Sequence, residues 1–131
     1  HFFFADHYYG YDDGLYAALR VLIILQGTIL SQWRAQFPKL FTSPEYRLPC
    51  DHKFEIMKHV KAKLTETKTP FNDIDGVRVT TPHGWWLIRC SHTQEALSAR
   101  LEAKTKEGFE ILRQHMNDCL MTVTIPPLDI S

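Results

Sequence analysis

The amino-terminal part of the chain is dominated by one apolar run, from Leu15 to Leu25, interrupted only by Arg20. Asp12-Asp13-Gly14 precedes this run and offers caps for a helix. A helix that is apolar on most of its sides needs cover on more than one face. Residues 1–4, which we predict to be the end of a strand, can supply little of that cover. We therefore expect a buried helix whose remaining cover belongs to a domain further upstream.

Two more helices are predicted beyond Cys50. Asp51 can cap one that ends near Thr67, and Thr105 can cap the other. Each carries apolar side chains at helical spacing, which predicts one buried face. The predicted buried residues are Phe54, Met57, Val60 or Lys61 and Leu64 in the first helix, and Phe109, Leu112, Met116 and Cys119 or Leu120 in the second.

Between these two helices the apolar residues alternate with polar ones. Residues 76–81 and 85–90 alternate on either side of Pro82-His83-Gly84, which predicts a hairpin. Residues 97–103 alternate in the same way and predict a third strand. The predicted fold class is α+β, a small antiparallel sheet with two helices packed on one face, preceded by a strand and a helix of a further domain.

Prolines mark both ends of this predicted domain. Residues 38–49 contain three prolines and have the composition of a linker with a short extended piece. The tail from Met121 contains Pro126-Pro127 and is predicted to be irregular. We therefore predict residues 1–37 as the remnant of one domain, residues 38–49 as a linker and residues 50–131 as a second domain.

Composition narrows the classes of function. The 131 residues include 15 Lys and Arg and 15 Asp and Glu, so no overall positive field would attract nucleic acid. Cys50, Cys90 and Cys119 are widely spaced, which predicts neither a disulfide framework nor a zinc site and favours a reducing compartment. The longest apolar run is shorter than the ~20 residues of a membrane span, and we see no secretion signal. We expect a cytoplasmic protein without a nucleic-acid or membrane partner.

The segment between the second and third predicted strands, Arg89-Cys90-Ser91-His92-Thr93-Gln94, has chemistry suited to a phosphate. Arg89 can pair with two phosphate oxygens, Ser91 and Thr93 add hydroxyl donors, and successive backbone N–H groups can form an anion nest. The spacing alone is a weak signal, because the same residue types are common on strand surfaces and in turns. Both a phosphate site and an ordinary turn fit this spacing.

The wider sequence adds to this interpretation. The run Asp75-Gly76-Val77-Arg78-Val79, the segment 84–89 with the loop that follows it, and the segment 100–104 resemble the carboxy-terminal domain of the α-D-phosphohexomutases. This family includes phosphomannomutase and phosphoglucomutase. Upstream, His1 with its aromatic neighbours and the segment 9–20 resemble the end of the third domain of these enzymes, an α/β domain. The resemblance covers nearly the whole chain except about the last ten residues.

The resemblance implies an isomerase of four domains that moves a phosphoryl group between two positions of a hexose phosphate. It implies a phosphoserine in the first domain, Mg²⁺ bound by an aspartate loop in the second, and a hexose bisphosphate intermediate. Nothing in this chain resembles the serine loop or a DxDxD metal run. We therefore expect a carboxy-terminal fragment that binds no metal, lacks activity alone and works with missing amino-terminal domains.

The family's functional residues carry over at five positions. Arg89, Ser91 and Thr93 match its substrate phosphate-binding loop, and His92 is expected to contribute a backbone contact. His1 matches a histidine that is a candidate proton-transfer group of the parent enzyme, and no other catalytic residue is assigned. The loop departs from the family pattern at His92, where asparagine or glycine is common, and further on in the loop, where Gln-Glu replaces Glu-Pro.

A rival interpretation is a stand-alone module that binds a partner protein or a phosphorylated ligand. Its predicted docking surface is the apolar helix from Leu15 to Leu25.

Overall fold

The computed structural model describes residues 1–121, which form two compact units that divide after Pro38. The tail predicted to be irregular, beyond Met121, lies outside the described residues. The amino-terminal unit contains helices α1 (Gly14–Ile24) and α2 (Leu30–Ala35). The second unit contains β1 (Phe41–Thr42), β2 (Tyr46–Pro49), α3 (Lys53–Glu66), β3 (Val77–Thr81), β4 (Gly84–Cys90), β5 (Ala96–Ala103) and α4 (Lys106–Leu120). The predicted α+β class is confirmed by an antiparallel sheet of five strands with four helices in the described chain.

Helix α1 begins where the sequence predicted. The Asp13 side chain caps it by accepting a hydrogen bond from the Tyr16 backbone N–H at 2.9 Å. No residue of α1 is buried, so the buried helix that we expected is not found within this unit. The predicted strand at residues 1–4 is reduced to a single bridge between Phe3 and Asp12. Helix α2 was not predicted, because six residues without a side-chain cap give no periodic signal.

Strand β5 is the centre of the sheet in the second unit. It pairs along its length with β4, Gly84 lying opposite Ala103 and Cys90 opposite Leu97. Its other edge pairs with both β1 and β2, and β3 completes the sheet beyond β4. The predicted hairpin and third strand are therefore present, and the sheet has two more strands than the three predicted.

The additional strands come from the stretch predicted as a linker, residues 38–49. Ser43, between β1 and β2, is buried and binds Leu101 twice: its N–H donates to the Leu101 carbonyl, and its Oγ accepts from the Leu101 N–H, both at 3.0 Å. Proline is tolerated here because β1 and β2 are edge strands, whose outer backbone groups need no partner. The segment from Phe41 onward is thus part of the domain, and the unit boundary follows Pro38.

Helices α3 and α4 pack on one face of the sheet, as predicted, and also contact each other. Thr105 caps α4 as expected, its hydroxyl accepting from the Gly108 N–H at 3.0 Å. Asp51 was the wrong cap for α3: His52 precedes that helix, in the left-handed conformation with φ of 61°, and makes no side-chain cap. Phe54 was also wrongly assigned to the core and is 71% exposed. The buried core contains Ile56, Met57, Val60, Leu64, Val77, Val79, Trp86, Ile88, Leu97, Ala99, Leu101, Ala103, Leu112, Met116, Cys119 and Leu120.

The strand residues that alternate with the core lie on the opposite, open face of the sheet. Trp86 is fully buried, whereas Trp85 is half-buried on the open face beneath the Arg78 guanidinium, 4.6 Å from the ring centre. The open face also carries Leu87 and Arg89, which follow in the same alternation toward the end of β4.

Candidate functional site

The predicted phosphate-binding residues lie where β4 ends on the open face of the sheet. The side chain of Arg89 is 41% exposed, and its Nη1 contacts the Asp75 carboxylate at 3.2 Å. No other group among residues 1–121 accepts a hydrogen bond from its guanidinium. Arg89 therefore keeps several N–H donors free for a ligand while Asp75 restrains one corner of the group.

The backbone of Gly76 lies directly against Arg89. Its φ of +82° is a conformation that glycine adopts readily and that other residues rarely do. A methyl group at this position would stand 2.6 Å from the Arg89 Cβ and 2.2 Å from the Ile88 carbonyl oxygen. The absence of a side chain at Gly76 thus lets the chain leading to Asp75 approach β4 closely enough for Asp75 to reach Arg89.

A cleft of about 190 Å³ adjoins Arg89 on the open face. It lies over the pairing of β4 with β5, where Arg89 is opposite Ser98 and Leu87 is opposite Arg100. Two arginines against one glutamate give its lining a positive balance. The lining residues are Glu45, Leu87, Arg89, Ser98, Ala99 and Arg100.

The loop from Ser91 to Glu95 is closed by its own backbone. The Ser91 N–H donates to the Ala96 carbonyl, and the Ala96 N–H donates to the Gln94 carbonyl, both at 2.9 Å. The Thr93 N–H contacts the Ser91 Oγ at a long 3.4 Å. Within the described part of the chain, the N–H groups of His92, Gln94 and Glu95 have no acceptor. The loop therefore offers three backbone N–H groups without an acceptor in the described residues.

The other side of this loop is held by the neighbouring elements. The Lys53 ammonium donates to the carbonyl oxygens of Ser91 at 3.0 Å and Gln94 at 2.9 Å. Arg47 Nη1 donates to the Gln94 side-chain oxygen at 3.1 Å, and the Cys50 N–H donates to the Glu95 carbonyl at 3.2 Å. Helix α3 and the segment from Arg47 to Cys50 thus hold the loop in place.

The side chains of Ser91, His92 and Thr93 differ in their exposure to solvent. His92 and Thr93 are exposed, and Ser91 is half-buried, so a ligand can approach the hydroxyl groups from solvent. Cys90 donates weakly to the Lys53 carbonyl at 3.7 Å, and burial raises the pKa of its thiol. A thiol that stays protonated at neutral pH is a poor nucleophile, which agrees with a packing role for Cys90.

His1, the other predicted site residue, belongs to the amino-terminal unit. Its exposed ring contacts the Asp12 carboxylate, and the same carboxylate accepts from the Phe2 N–H at 3.0 Å. The neighbouring Asp13 accepts a 2.6 Å hydrogen bond from the Tyr8 hydroxyl, which lowers the pKa of Asp13 and raises that of Tyr8 well above its ordinary range. The two aspartates thus have separate tasks, one at the His1 ring and one at the start of α1.

Sequence reasoning missed Lys53, which holds the loop, and Asp75, which restrains the Arg89 guanidinium. Lys53 gave one usable signal: a lysine in the first turn of a helix opposes the helix dipole, so a local reason for it should exist. Asp75 gave none, because its partner Arg89 lies 14 residues away along the chain.

Residues 1–121 show neither a metal-binding cluster nor a helix that could span a membrane. Residues 1–121 contain no group of three or more His, Cys, Asp or Glu side chains that could hold a metal ion. Within the same residues, no helix is both long and apolar enough to cross a membrane.

The chain is similar to known proteins over most of its length. No model of a protein family matches the chain. Phosphomannomutase/phosphoglucomutase of Pseudomonas aeruginosa PAO1 is 33% identical over 127 residues, which are 94% of this chain and 27% of that protein. Phosphoglucomutase of Neisseria gonorrhoeae is 34% identical over 115 residues, covering 84% of this chain and 25% of that protein. The crystal structure of a phosphoglucomutase/phosphomannomutase family protein from Burkholderia thailandensis matches 92% of this chain and 26% of its own, with a TM-score of 0.78 and 28% identity.

The fold and the matches together define a homologue of sugar-phosphate mutases. More narrowly, the chain is homologous to the phosphomannomutase/phosphoglucomutase family over nearly its whole length, which confirms the resemblance found in the sequence. The chain spans about a quarter of the length of the curated relatives that it matches.

Proposed function

We propose that this chain is the part of a phosphohexomutase that binds the phosphate of the substrate. The observation that carries the proposal is the convergence of three kinds of donor at the end of β4. These are the guanidinium of Arg89, the hydroxyls of Ser91 and Thr93, and the free N–H groups of the loop. A phosphate needs such a set, because it has several oxygens to satisfy and a charge that a guanidinium pairs with bidentately.

The geometry of Arg89 suits reversible binding of such an anion. Its contact with Asp75 joins two half-exposed side chains and is therefore weak in water. A dianionic phosphate can bind the free edge of the guanidinium while Asp75 holds the other corner. His92 contributes through its backbone N–H in this proposal, and its exposed imidazole is not required.

In the parent enzyme, we propose that this unit closes the active site over a hexose phosphate and, midway through the reaction, over a hexose bisphosphate. Binding the remote phosphate at the Arg89 loop would supply energy for closure, and closure would exclude water from the reacting phosphoryl group.

Mg²⁺, when bound, neutralises phosphoryl charge. We propose that its ligands belong to another domain. His1 is a proton-transfer candidate in the same scheme, and the chain alone is inactive. We also propose a cytoplasmic location, where hexose phosphates are abundant.

The test is an NMR titration of the ¹⁵N-labelled chain with mannose 1-phosphate and glucose 1-phosphate. We expect saturable amide shifts centred on residues 89–95, with weak affinity because one loop supplies only part of the full site. Arg89→Ala should abolish them. Arg113→Ala is the matched control, because it removes the same charge from α4, which packs on the covered face of the sheet. Shifts that survive Arg89→Ala, or that vanish equally in Arg113→Ala, would exclude a phosphate site at this loop.

One observation bears on the second interpretation, in which the chain is an interaction module. Helix α1 leaves a large apolar groove open, with a volume of about 480 Å³. We attribute this groove to contacts with the upstream part of a mutase rather than with a separate partner, because relatives are about four times as long as this chain. An upstream reading frame encoding a serine loop and an aspartate metal loop would support this attribution, and an independent start codon near His1 would favour the module. The groove is lined by Phe2, Phe4, Gly14, Ala17, Ala18, Arg20, Val21 and Ile24.

A further inference from the structure

Lys53 occupies an unfavourable position for a lysine in two respects. It is the first residue of α3, where the positive end of the helix dipole disfavours a cation. Its side chain is also only 9% exposed, although burying an ammonium group is costly unless its donors are satisfied. A methionine or leucine at this position would avoid both costs. The retained charge therefore points to a local task.

The contacts of Lys53 account for all three donors of its ammonium group. Two donate to the carbonyl oxygens of Ser91 and Gln94, and the third faces the Glu95 carboxylate at 3.2 Å. All three acceptors belong to the candidate phosphate-binding loop. Lys53 thus connects the first turn of α3 to both ends of this loop.

The geometry of the trans peptide bond determines where two of the free loop N–H groups point. In a trans peptide, the carbonyl of one residue and the N–H of the next point in opposite directions, and residues 1–121 contain no cis peptide. Holding the Ser91 carbonyl toward Lys53 directs the His92 N–H away from it. Holding the Gln94 carbonyl does the same for the Glu95 N–H. These are two of the three loop N–H groups that lack an acceptor.

We propose that Lys53 is a positioning residue of the phosphate site, which aims the N–H groups of His92 and Glu95 at the bound phosphate. This inference rests on the proposed function. A fixed nest does not have to be ordered when the ligand arrives, so binding energy is not spent on arranging the loop. The ammonium group contacts the loop and not the anion, so Lys53 acts on the phosphate only through the loop.

The experiment compares Lys53→Met with Lys58→Met in the full chain. Methionine keeps the length and apolar character of the lysine stem. Lys58 is an exposed residue of the same helix, so its substitution removes the same charge without touching the loop. ¹⁵N relaxation would give order parameters for the amides of residues 92–95. Titration with inorganic phosphate and with mannose 1-phosphate would give affinities, and thermal unfolding would report global stability.

In Lys53→Met we expect loop order parameters to fall from about 0.85 to below about 0.6, the range of flexible backbone. We expect phosphate affinity to fall about tenfold, as the loss of pre-organised, charge-assisted contacts implies. Lys58→Met should match the wild type in both respects. Unchanged loop order and unchanged affinity in Lys53→Met would overturn the proposal, as would lower thermal stability with an unaltered loop.

The outcomes separate this inference from the proposed function. A wild-type chain that binds no phosphate would refute the function, whereas loop order in Lys53→Met would still decide whether Lys53 holds the loop. If Lys53→Met does not fold, the wild type provides the test. We then expect NMR scalar couplings between Lys53 Nζ and the carbonyl carbons of Ser91 and Gln94, across the two hydrogen bonds. The absence of these couplings would refute the role of Lys53.

Discussion

Substituting Gly76 by alanine tests whether close backbone approach positions Arg89. The new Cβ would lie 2.2 Å from the Ile88 carbonyl oxygen and 2.6 Å from the Arg89 Cβ, where ordinary contact begins at 3.4 Å. The left-handed conformation with φ of +82° adds about 1–2 kcal/mol of strain for a residue with a side chain. With the displacement of β4 included, we expect a loss of about 3 kcal/mol in the free energy of unfolding.

The melting temperature of a domain of this size falls by about 4–8 °C for each kcal/mol lost from its free energy of unfolding. Gly76→Ala should therefore melt more than about 10 °C below the wild type. Differential scanning calorimetry would measure this change. Phosphate affinity at 10 °C, where the variant remains folded, should fall at least about tenfold, because a shift of about 1 Å in a charged contact is costly.

Gly84→Ala is the control for this substitution. Gly84 has φ of +152°, and a Cβ there would stand 2.0 Å from the Glu102 carbonyl oxygen at the opposite end of β4. It should therefore lower the melting temperature comparably and leave phosphate affinity near the wild-type value. Equal loss of affinity in both variants would refute the argument that Gly76 acts through Arg89. A Gly76→Ala variant as stable as the wild type would contradict the close approach itself.

Three further predictions concern charge, pH and the sheet edge. Asp75→Asn should tighten phosphate binding about two- to threefold in low-salt titrations, because asparagine keeps an acceptor for Arg89 but removes a negative charge that repels the phosphate. This gain should disappear as salt is added. Helix α1 should lose its first turn in acid. The pKa of Asp13 is lowered from its ordinary value of 3.8, so the charged cap stabilises the helix fully above pH 3.8. This stabilisation is lost as the pH falls through the lowered pKa of Asp13. Cα chemical shifts between pH 5 and pH 2 would follow this loss, and an unchanged helix would contradict it. Ser43→Ala should cost about 1–3 kcal/mol in urea unfolding, because the buried Leu101 N–H loses its acceptor, whereas a neutral result would mean that β1 and β2 behave as a linker.

The alternation of apolar residues was sufficient to predict β3, β4 and β5, because every second side chain of these strands enters one core. The same reasoning could not find β1 and β2. Strands of two and four residues carry no period, and their prolines resemble a linker unless the partner strand is known. The face of α3 was also misjudged at Phe54, because a lysine takes the first buried position of that helix.

For the candidate site, residue chemistry and family resemblance together singled out the Arg89 loop. They gave the residues proposed to face the ligand but not the residues that contact and position them. Asp75 and Gly76 act on Arg89, and Lys53 acts on the loop, through tertiary contacts that the local sequence does not specify. Side chains that bind a ligand have a recognisable composition, whereas side chains that aim them are defined by geometry.

The central place of β5 determines when this domain can fold during synthesis. Tyr46 of β2 pairs with Ala99 of β5, so β2 leaves the ribosome about 50 residues before its partner. At about 5–20 residues per second, that delay lasts roughly 3 to 10 s. During this interval β3 and β4 can already form their hairpin, while β1 and β2 have nothing to pair with. A nascent chain stalled before Ala96 would therefore hold a hairpin and helix α3 but no sheet edge for β2. Emergence of β5 completes the sheet, on which α4 then packs.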